Sequence, residues 1–338
     1  MRVLVMSTRE FERPFFETAC QGSGHELVFM ETPLDVHTAP LAAGYEAVCA
    51  FTNDTLDEPV LRQLAGNGTR FIALRCAGFN QIDLVAAQEL GLVVARVPAY
   101  SPESVAEHAL ALMLTLNRKT HRAYIRVRDG NFSLDGLMGF TMNGKCAGVV
   151  GTGRIGKVLI EILIGMGCSV LAVDPYPNTA CERLGARYVE MDELLEHADI
   201  ISLNCPLTPA THHLIDEDAI LRMKAGVMLI NTSRGKVVDT NALIGGLKSG
   251  KIGSVGLDVY EEEADLFFHD FSETVIQDDV FARLLTFPNV LITAHQGFLT
   301  REALESIADT TMRNIDGFAS GDVPTENLVT TALIASVN

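Results

Sequence analysis

The sequence lacks the features that mark a metal centre, a disulfide framework or a membrane segment. Its seven cysteines form no CxxC pair and no metal-ligand spacing, and their odd number excludes complete pairing. No apolar run approaches the roughly 20 residues that cross a bilayer, and the run VLVM near the start is too short for a secretory signal. We therefore expect a cytoplasmic protein with reduced cysteines, most of them acting as small buried hydrophobes.

Positive charge is also scarce. The 338 residues include 26 lysines and arginines against 43 aspartates and glutamates, which gives a formal net charge of −17. Nucleic acids and anionic membrane surfaces are bound through clustered basic residues, so this balance argues against both as partners. A small anionic substrate needs only one locally held arginine, and such a single cation is the feature we expect.

A glycine-rich turn between two strands is the most informative motif that is present. Residues 148–174 predict a strand, a turn, an amphipathic helix and a second strand that ends in an acid. Gly151 permits the tight turn, Gly153 lets backbone amides approach a pyrophosphate, and Gly156 lets the helix pack closely on the strand. The Asp174 carboxylate stands where it can accept hydrogen bonds from a ribose, and it would repel a 2′-phosphate. A merely structural turn is the alternative, but the ordered pattern favours a dinucleotide site, and NAD over NADP.

Alternating apolar runs and amphipathic segments predict an α/β protein with two doubly wound parallel-sheet domains. Residues 2–98 form one such series, and a second series begins at Lys145. The second series is expected to contain six strands, near 146–150, 169–173, 199–203, 227–231, 253–257 and 290–293. Six strands match a Rossmann dinucleotide-binding sheet.

Two helices set the predicted domain organisation. The helix at 101–119 is richly apolar and uncharged from Ala109 to Asn117, so we expect it to be buried between domains or subunits. That burial predicts a homodimer or a homotetramer. A helix after Thr300 follows the last strand, and we expect it to cross back to the first domain. The first predicted domain is discontinuous and consists of residues 1–100 and 299–338. The second is the dinucleotide-binding domain, at 101–298.

Polar segments follow several strands of the second series, and ligands bind outside the carboxyl ends of parallel strands. These segments are NCPLTP at 204–209, NTSRG at 231–235, LDVYEEE at 257–263 and TAHQGF at 293–298. They bring Arg234, Glu263 and His295 together as candidates for chemistry. The ordinary alternative is a surface salt bridge for Arg234, a solvated acidic loop for Glu263 and a structural role for His295. An arginine can bind a substrate carboxylate through two hydrogen bonds, and the carboxylate of Glu263 could orient the imidazole of His295. These two pairings favour the catalytic interpretation.

The combination of GTGRIGK, NTSRG, GLDVYEEE with LFFHD, and HQGFLT resembles the D-isomer-specific 2-hydroxyacid dehydrogenases. The resemblance covers nearly the whole chain, including VPAYSPESVAEHALALML at 97–114. It implies a Rossmann-type NAD domain and a flavodoxin-like substrate domain. It also implies that Arg234 binds the substrate carboxylate and carbonyl, that His295 transfers the proton, and that Glu263 supports the histidine.

The resemblance further implies two sets of binding residues. The expected cofactor contacts are Gly151, Gly153, Arg154, Ile155, Gly156, Asp174, Cys205, Pro206, Thr211, Thr232, Ser233 and Asp258. The expected substrate contacts besides the arginine are Arg75, Ala77, Gly78, Tyr100 and Phe298. Thr211 departs from the pattern, because many relatives have asparagine there. No metal is expected, since the adjacent side chains of His212 and His213 should diverge.

The implied reaction is the reversible reduction of pyruvate to D-lactate, with hydride transferred from NADH. One alternative is a related enzyme acting on glyoxylate, hydroxypyruvate, phosphoglycerate or a branched 2-keto acid. A chain that ends at Asn338 leaves no room for an added regulatory domain, which disfavours the larger phosphoglycerate enzymes. The other alternative is a non-enzymatic, NAD-sensing binding protein that resembles the corepressors of this family.

Overall fold

The computed structural model describes residues 1–263 and 266–332. The chain divides into two units, each with its own parallel sheet. The first unit contains Met1–Ser101 and the chain from Leu299 onward, and the second contains Pro102–Phe298. Two parallel sheets with helical crossovers confirm the predicted α/β class.

The first unit has a five-stranded sheet in the order β2-β1-β3-β4-β5, which is the flavodoxin-like order. Its strands are β1 Arg2–Val5, β2 Glu26–Phe29, β3 Ala47–Ala50, β4 Phe71–Leu74 and β5 Val93–Arg96. The helices between them are α1 Arg13–Ala19, α2 Glu58–Gly66 and α3 Leu84–Glu89. Leu4, Val48 and Ile72 are buried on one face of the sheet. Because side chains alternate along a strand, their neighbours are buried on the other face.

The second unit has a seven-stranded sheet in the order β12-β11-β10-β9-β6-β7-β8. Its strands are β6 Cys146–Val150, β7 Ser169–Val173, β8 Arg187–Tyr188, β9 Ile200–Leu203, β10 Val227–Asn231, β11 Ile252–Leu257 and β12 Val290–Ile292. Its helices are α4 Pro102–Arg118, α5 Thr120–Arg128, α6 Arg154–Gly165, α7 Thr179–Leu184, α8 Met191–His197, α9 Glu217–Arg222, α10 Thr240–Ser249 and α11 Asp279–Leu285. Strands β8-β7-β6-β9-β10-β11 have the order of a Rossmann sheet, and β12 is added beside β11. All six expected strands are present. The two-residue edge strand β8 was not among them, because no apolar run predicts it.

Helix α4 is buried within its own unit. Ala106, Ala109, Leu112 and Met113 pack with α6 and with strands β10 and β11. These side chains are therefore buried by their own unit, and burial of the helix between domains or subunits stays a prediction. Exposed apolar side chains follow it, at Tyr124, Ile125, Val127, Phe132, Leu134 and Met138.

The last long helix is α12, Arg301–Ser320. Thr300 caps its N-terminus, where the hydroxyl accepts a hydrogen bond from the Ala303 amide at 3.2 Å, and Gly321 caps its C-terminus with a φ of 79°. Met312 and Ile315 pack on the first sheet. The helix therefore supplies part of the core of the first unit.

Candidate active site

The glycine turn joins strand β6 to helix α6. Gly151 has a φ of 91°, and a Cβ there would lie 2.7 Å from the Asn204 carbonyl. A Cβ on Gly156 would lie 2.0 Å from the Gly151 oxygen, so only glycine allows the helix to sit this close to the strand. A Cβ on Gly153 would meet no protein atom within 4 Å. The turn therefore leaves an open face at the N-terminus of α6, where backbone amides are available to an anion.

Asp174 follows strand β7 and lies directly beside this turn. Its Oδ2 accepts hydrogen bonds from the Thr152 amide at 2.6 Å and from the Thr152 hydroxyl at 3.0 Å. Its Oδ1 accepts from the Tyr176 amide at 2.8 Å. The Tyr188 hydroxyl donates to Thr152 Oγ1 at 2.8 Å, so the extra edge strand supports the turn. Sequence reasoning missed Thr152 and Tyr188, because nothing in their spacing announces the contact.

Cys205 and Pro206, which are predicted cofactor contacts, lie in the loop that follows strand β9. Cys205 is buried, and burial raises the pKa of its thiol to about 11, so it is a neutral apolar surface. The Pro206 carbonyl accepts a hydrogen bond from the Thr211 hydroxyl at 2.6 Å. That hydroxyl in turn accepts from the Thr208 amide at 2.8 Å. Thr211 therefore closes the loop that carries Cys205 and Pro206. The one proton of its hydroxyl group is used in this contact.

Buried oxygens at the ends of β9 and β10 are available to a ligand. Asn204 Oδ1 and Thr232 Oγ1 are buried and make no hydrogen bond to the described part of the chain. Buried polar atoms are normally satisfied, so a missing partner at the carboxyl edge of the sheet fits a bound polar molecule. Together with the open face at Gly153, these atoms fit a dinucleotide. Asn204 was not among the predicted contacts.

Arg234 stands on a loop that its neighbours hold rigidly. Asn231 donates from Nδ2 to the Arg234 carbonyl at 2.9 Å and accepts from the Ser233 amide at 3.0 Å and the Ser233 hydroxyl at 2.8 Å. A Cβ on Gly235 would lie 2.0 Å from the Tyr260 carbonyl oxygen, so glycine is required there. Within the described residues the guanidinium makes one hydrogen bond, from Nη1 to the Ser233 carbonyl at 2.7 Å. Most of its five donors therefore remain available to an anion.

His295 and Glu263 form a hydrogen-bonded pair. Nδ1 of the imidazole lies 2.8 Å from Oε1 of the carboxylate, and both side chains are about one-fifth exposed, at 19% and 18%. The other carboxylate oxygen accepts from the Tyr260 amide at 2.9 Å. A carboxylate partner places the proton of the neutral ring on Nδ1, which leaves Nε2 to exchange a proton with a substrate. The rings of Phe268 and Phe298 lie 6.2 and 6.4 Å from the imidazole, centroid to centroid.

Asp258 holds the loop that carries the imidazole. Its carboxylate accepts hydrogen bonds from the Thr293 hydroxyl at 2.6 Å and from the Gln296 and Gly297 amides, both at 2.8 Å. His108 Nε2 lies 3.2 Å from Oδ1. Burial works to raise the pKa of this carboxyl, but the hydrogen bonds from His108 and Thr293 outweigh it and lower the pKa below its ordinary value. Sequence reasoning missed His108 and Thr293.

Arg75 is not available to a substrate, which corrects its predicted role. Its side chain is fully buried, and Nε and Nη2 each lie 3.0 Å from a carboxylate oxygen of Glu12. Nη2 also donates to the carbonyls of Met6 at 2.8 Å and Ser7 at 3.0 Å. A guanidinium so fully paired inside the first unit stabilises the fold rather than binding a ligand.

The other predicted substrate contacts of the first unit are only partly buried. Ala77, Gly78 and Tyr100 all have intermediate exposure. The Ala77 carbonyl accepts a hydrogen bond from Arg96 at 2.8 Å, and the same guanidinium lies 4.9 Å from the centroid of the Phe79 ring. Arg96 therefore fixes the loop that follows β4.

The expectation that the His212 and His213 side chains diverge is wrong. Their rings stack with centroids 4.0 Å apart, because His213 adopts a left-handed φ of 50°. Among residues 1–263 and 266–332, no group of three or more histidine, cysteine or acidic residues is placed to hold a metal ion. None of the helices described has both the length and the apolar character to span a membrane.

Comparison with known proteins places the chain in a family. The model for the D-isomer specific 2-hydroxyacid dehydrogenase NAD binding domain matches residues 110–297. The D-lactate dehydrogenase of Escherichia coli (strain K12) is 54% identical over 329 residues, which is 97% of this chain and 100% of that protein. The chain belongs to the D-isomer specific 2-hydroxyacid dehydrogenase family, as the sequence motifs predict.

Solved structures agree with this assignment. The pyruvate reductase of Chlamydomonas reinhardtii superposes with a TM-score of 0.90 at 48% identity, covering 95% of this chain and 97% of that one. The D-lactate dehydrogenase from Aquifex aeolicus, complexed with NAD and lactic acid, gives 0.87 at 36% identity, covering 97% and 98%. The chain is an NAD-dependent oxidoreductase, and the open glycine turn and the unsatisfied oxygens of Asn204 and Thr232 are consistent with NAD as its cofactor.

Proposed function

We propose that this enzyme catalyses the reversible, NADH-dependent reduction of pyruvate to D-lactate. The observation that carries the proposal is the 2.8 Å contact between His295 Nδ1 and Glu263 Oε1. This pair lies in the same unit as the loop of Arg234, whose guanidinium retains donors. Near full-length relatives include D-lactate dehydrogenases, which favours pyruvate among 2-keto acids.

Arg234 binds the substrate in this scheme. Two parallel N–H groups of a guanidinium match the two oxygens of a carboxylate, so the arginine fixes both the position and the plane of a 2-keto acid. The loop beneath it is held by Asn231, which limits the entropy lost when substrate binds. The same positive charge draws electrons toward the carbonyl oxygen.

His295 supplies the proton. When protonated, it donates from Nε2 to the carbonyl oxygen while Glu263 stabilises the positive ring through Nδ1. Bound NADH supplies the hydride that the carbonyl carbon receives. In the reverse direction the neutral imidazole accepts the proton of the hydroxyl group. The aromatic rings of Phe268 and Phe298 flank the imidazole and limit its contact with water.

A substrate panel tests the proposal. Initial rates are measured with NADH and with NADPH on pyruvate, glyoxylate, hydroxypyruvate and a branched 2-keto acid. We expect the highest kcat/KM with pyruvate and NADH. A kcat/KM at least tenfold higher with another acid assigns that acid as substrate instead. Absence of turnover with every acid, together with tight NADH binding, supports the NAD-sensing binding protein.

We also propose a homodimer formed through the segment that follows α4. The exposed apolar side chains there form the group Tyr124, Ile125, Val127, Phe132, Leu134 and Met138. So many large apolar groups in one short segment are characteristic of a covered surface. Size-exclusion chromatography coupled to light scattering measures the mass in solution and distinguishes a dimer from a tetramer. A monomeric mass contradicts the proposal.

The cytoplasm is the compartment we propose. All seven cysteines lie within the described residues, and each is a free thiol. Free thiols persist where the environment is reducing. Cell fractionation followed by immunodetection tests the assignment, and recovery with membranes or in the secreted fraction contradicts it.

A further inference from the structure

We propose that His213 and Glu261 are positioning residues that hold the substrate arginine and the catalytic carboxylate in register. This inference rests on the proposed function, because it assigns the pair to the same reaction. The hydrogen bonds and ion pairs described for the two side chains do not include the imidazole of His295. Their action is through the backbone of the two loops that carry Arg234 and Glu263.

The three glutamates of the acidic run 261–263 make different contacts. Glu263 pairs with the imidazole, as described above. Glu262 is 70% exposed and lies 3.5 Å from Lys236 Nζ. Glu261 turns inward, with its side chain 17% exposed. Three adjacent glutamates therefore have three separate environments, and the exposed one is a natural control for the inward one.

Glu261 is held at both carboxylate oxygens. Oε1 lies 2.8 Å from His213 Nε2, and Oε2 accepts a hydrogen bond from the Thr240 amide at 2.8 Å. Thr240 is the first residue of helix α10, so one oxygen is anchored to the start of a ten-residue helix. Asp239 Oδ2 lies 3.8 Å from the other ring nitrogen. The imidazole is thus placed between two carboxylates.

His213 also connects to the loop of the substrate arginine. Its backbone amide donates to the Lys236 carbonyl at 2.8 Å. One residue earlier, a Cβ on Gly235 would lie 2.0 Å from the Tyr260 carbonyl oxygen and 2.4 Å from the Glu261 amide. The two loops are therefore in backbone contact at the point where the pair joins them. A shift of either loop moves the other.

The backbone of His213 shows that this arrangement is imposed by its surroundings. A φ of 50° is disfavoured for a residue that has a Cβ, and such conformations persist where neighbouring contacts over-determine them. The stacked ring of His212 and the carboxylates of Glu261 and Asp239 are those contacts. Removal of the pair should therefore release both loops.

The test compares Glu261→Ala with the matched control Glu262→Ala. Misplacement of reacting groups by about 1 Å costs on the order of 100-fold. For Glu261→Ala we expect kcat to fall about tenfold and KM for pyruvate to rise about fivefold, since part of that displacement reaches each loop. The dissociation constant for NADH, read from its fluorescence, should change by less than about twofold. All three quantities should stay within about twofold for Glu262→Ala.

A second pair of variants guards against simple misfolding. His213→Asn tolerates the left-handed backbone but is too short to reach Glu261, so it should reproduce the combined change in kcat and KM. Glu261→Gln keeps an acceptor for the Thr240 amide and should recover most of the activity. Loss of kcat alone, with KM unchanged and no recovery in Glu261→Gln, overturns the proposal as a general loss of folded enzyme. Wild-type constants in both Glu261→Ala and His213→Asn overturn it as well.

Failure of this inference is distinguishable from failure of the proposed function. His295→Ala is measured in the same series. If it is inactive on pyruvate while Glu261→Ala is unchanged, the reaction assignment stands and the positioning role falls. If His295→Ala retains full turnover, the proton-transfer role of His295 falls, and if the wild-type enzyme does not reduce pyruvate with NADH, the proposed function itself falls.

Discussion

Alanine substitution of the three glycines in and beyond the turn should separate packing from ligand binding. In Gly156→Ala, the new methyl group would lie 2.0 Å from the Gly151 oxygen, so the helix must move away from the strand. Forced overpacking of this kind typically costs about 1–3 kcal/mol. For a unit of this size, at about 2–4 °C per kcal/mol, that corresponds to a fall in Tm of about 2 to 12 °C. NADH binding should weaken in parallel, because the amides of α6 move with the helix.

Gly153→Ala should behave in the opposite way. Its methyl group meets no protein atom within 4 Å, so the unliganded protein should keep its Tm within about 1 °C. It fills the face where we place the pyrophosphate, and NADH affinity should fall at least about tenfold, about 1.4 kcal/mol. Gly165→Ala, at the exposed end of the same helix, is the control and should stabilise the protein by up to about 1 kcal/mol.

The assays are thermal unfolding without cofactor and titration of NADH by fluorescence. If Gly153→Ala binds NADH as well as wild type does, the open face is not the pyrophosphate site. If Gly156→Ala keeps the wild-type Tm, close packing of the helix does not require glycine at this position. A parallel loss of stability and affinity in both variants would show that the two glycines have a single role.

Asp258 and Arg75 are buried charged groups whose replacement should change stability. The pKa of Asp258 lies below its ordinary value, so its carboxylate stabilises the folded state above about pH 4 and this contribution is lost as the pH falls further. The Tm difference between wild type and Asp258→Asn should therefore be constant above about pH 5 and shrink below about pH 4; a gap that widens in acid contradicts this. Arg75→Met leaves Glu12 buried without its partner and should lower stability by about 3–5 kcal/mol. Normal stability with a raised KM for pyruvate would restore Arg75 as a substrate contact.

The sequence patterns predict the sheets because strand and helix signals are strong where elements are fully buried. The runs at β6, β7, β9 and β10 are largely apolar, as burial on both faces of a parallel sheet requires. Strand β8 escapes this reasoning, since Arg187 and Tyr188 lie at the sheet edge and show no apolar run. Its existence depends on pairing with Leu171 and Ala172, which local sequence does not encode.

The site was predictable where a family pattern names a residue and not where contacts are distant in sequence. Arg75 stands in the polar segment RCAGFN and invites a ligand-binding interpretation, but its partner Glu12 lies 63 residues away. The Glu261 carboxylate looks like part of a solvated acidic run, and its contact with His213 spans 48 residues. Such pairs depend on which loops the sheet brings together, so propensity and spacing do not reveal them.

We propose that His295 transfers the proton while other residues of the same unit hold NADH. The turnover of His295→Ala with pyruvate, measured beside the dissociation constant of this variant for NADH, tests this assignment. We predict a loss of about 100- to 10,000-fold in kcat, with NADH binding within about twofold of wild type. Turnover equal to wild type would contradict the account.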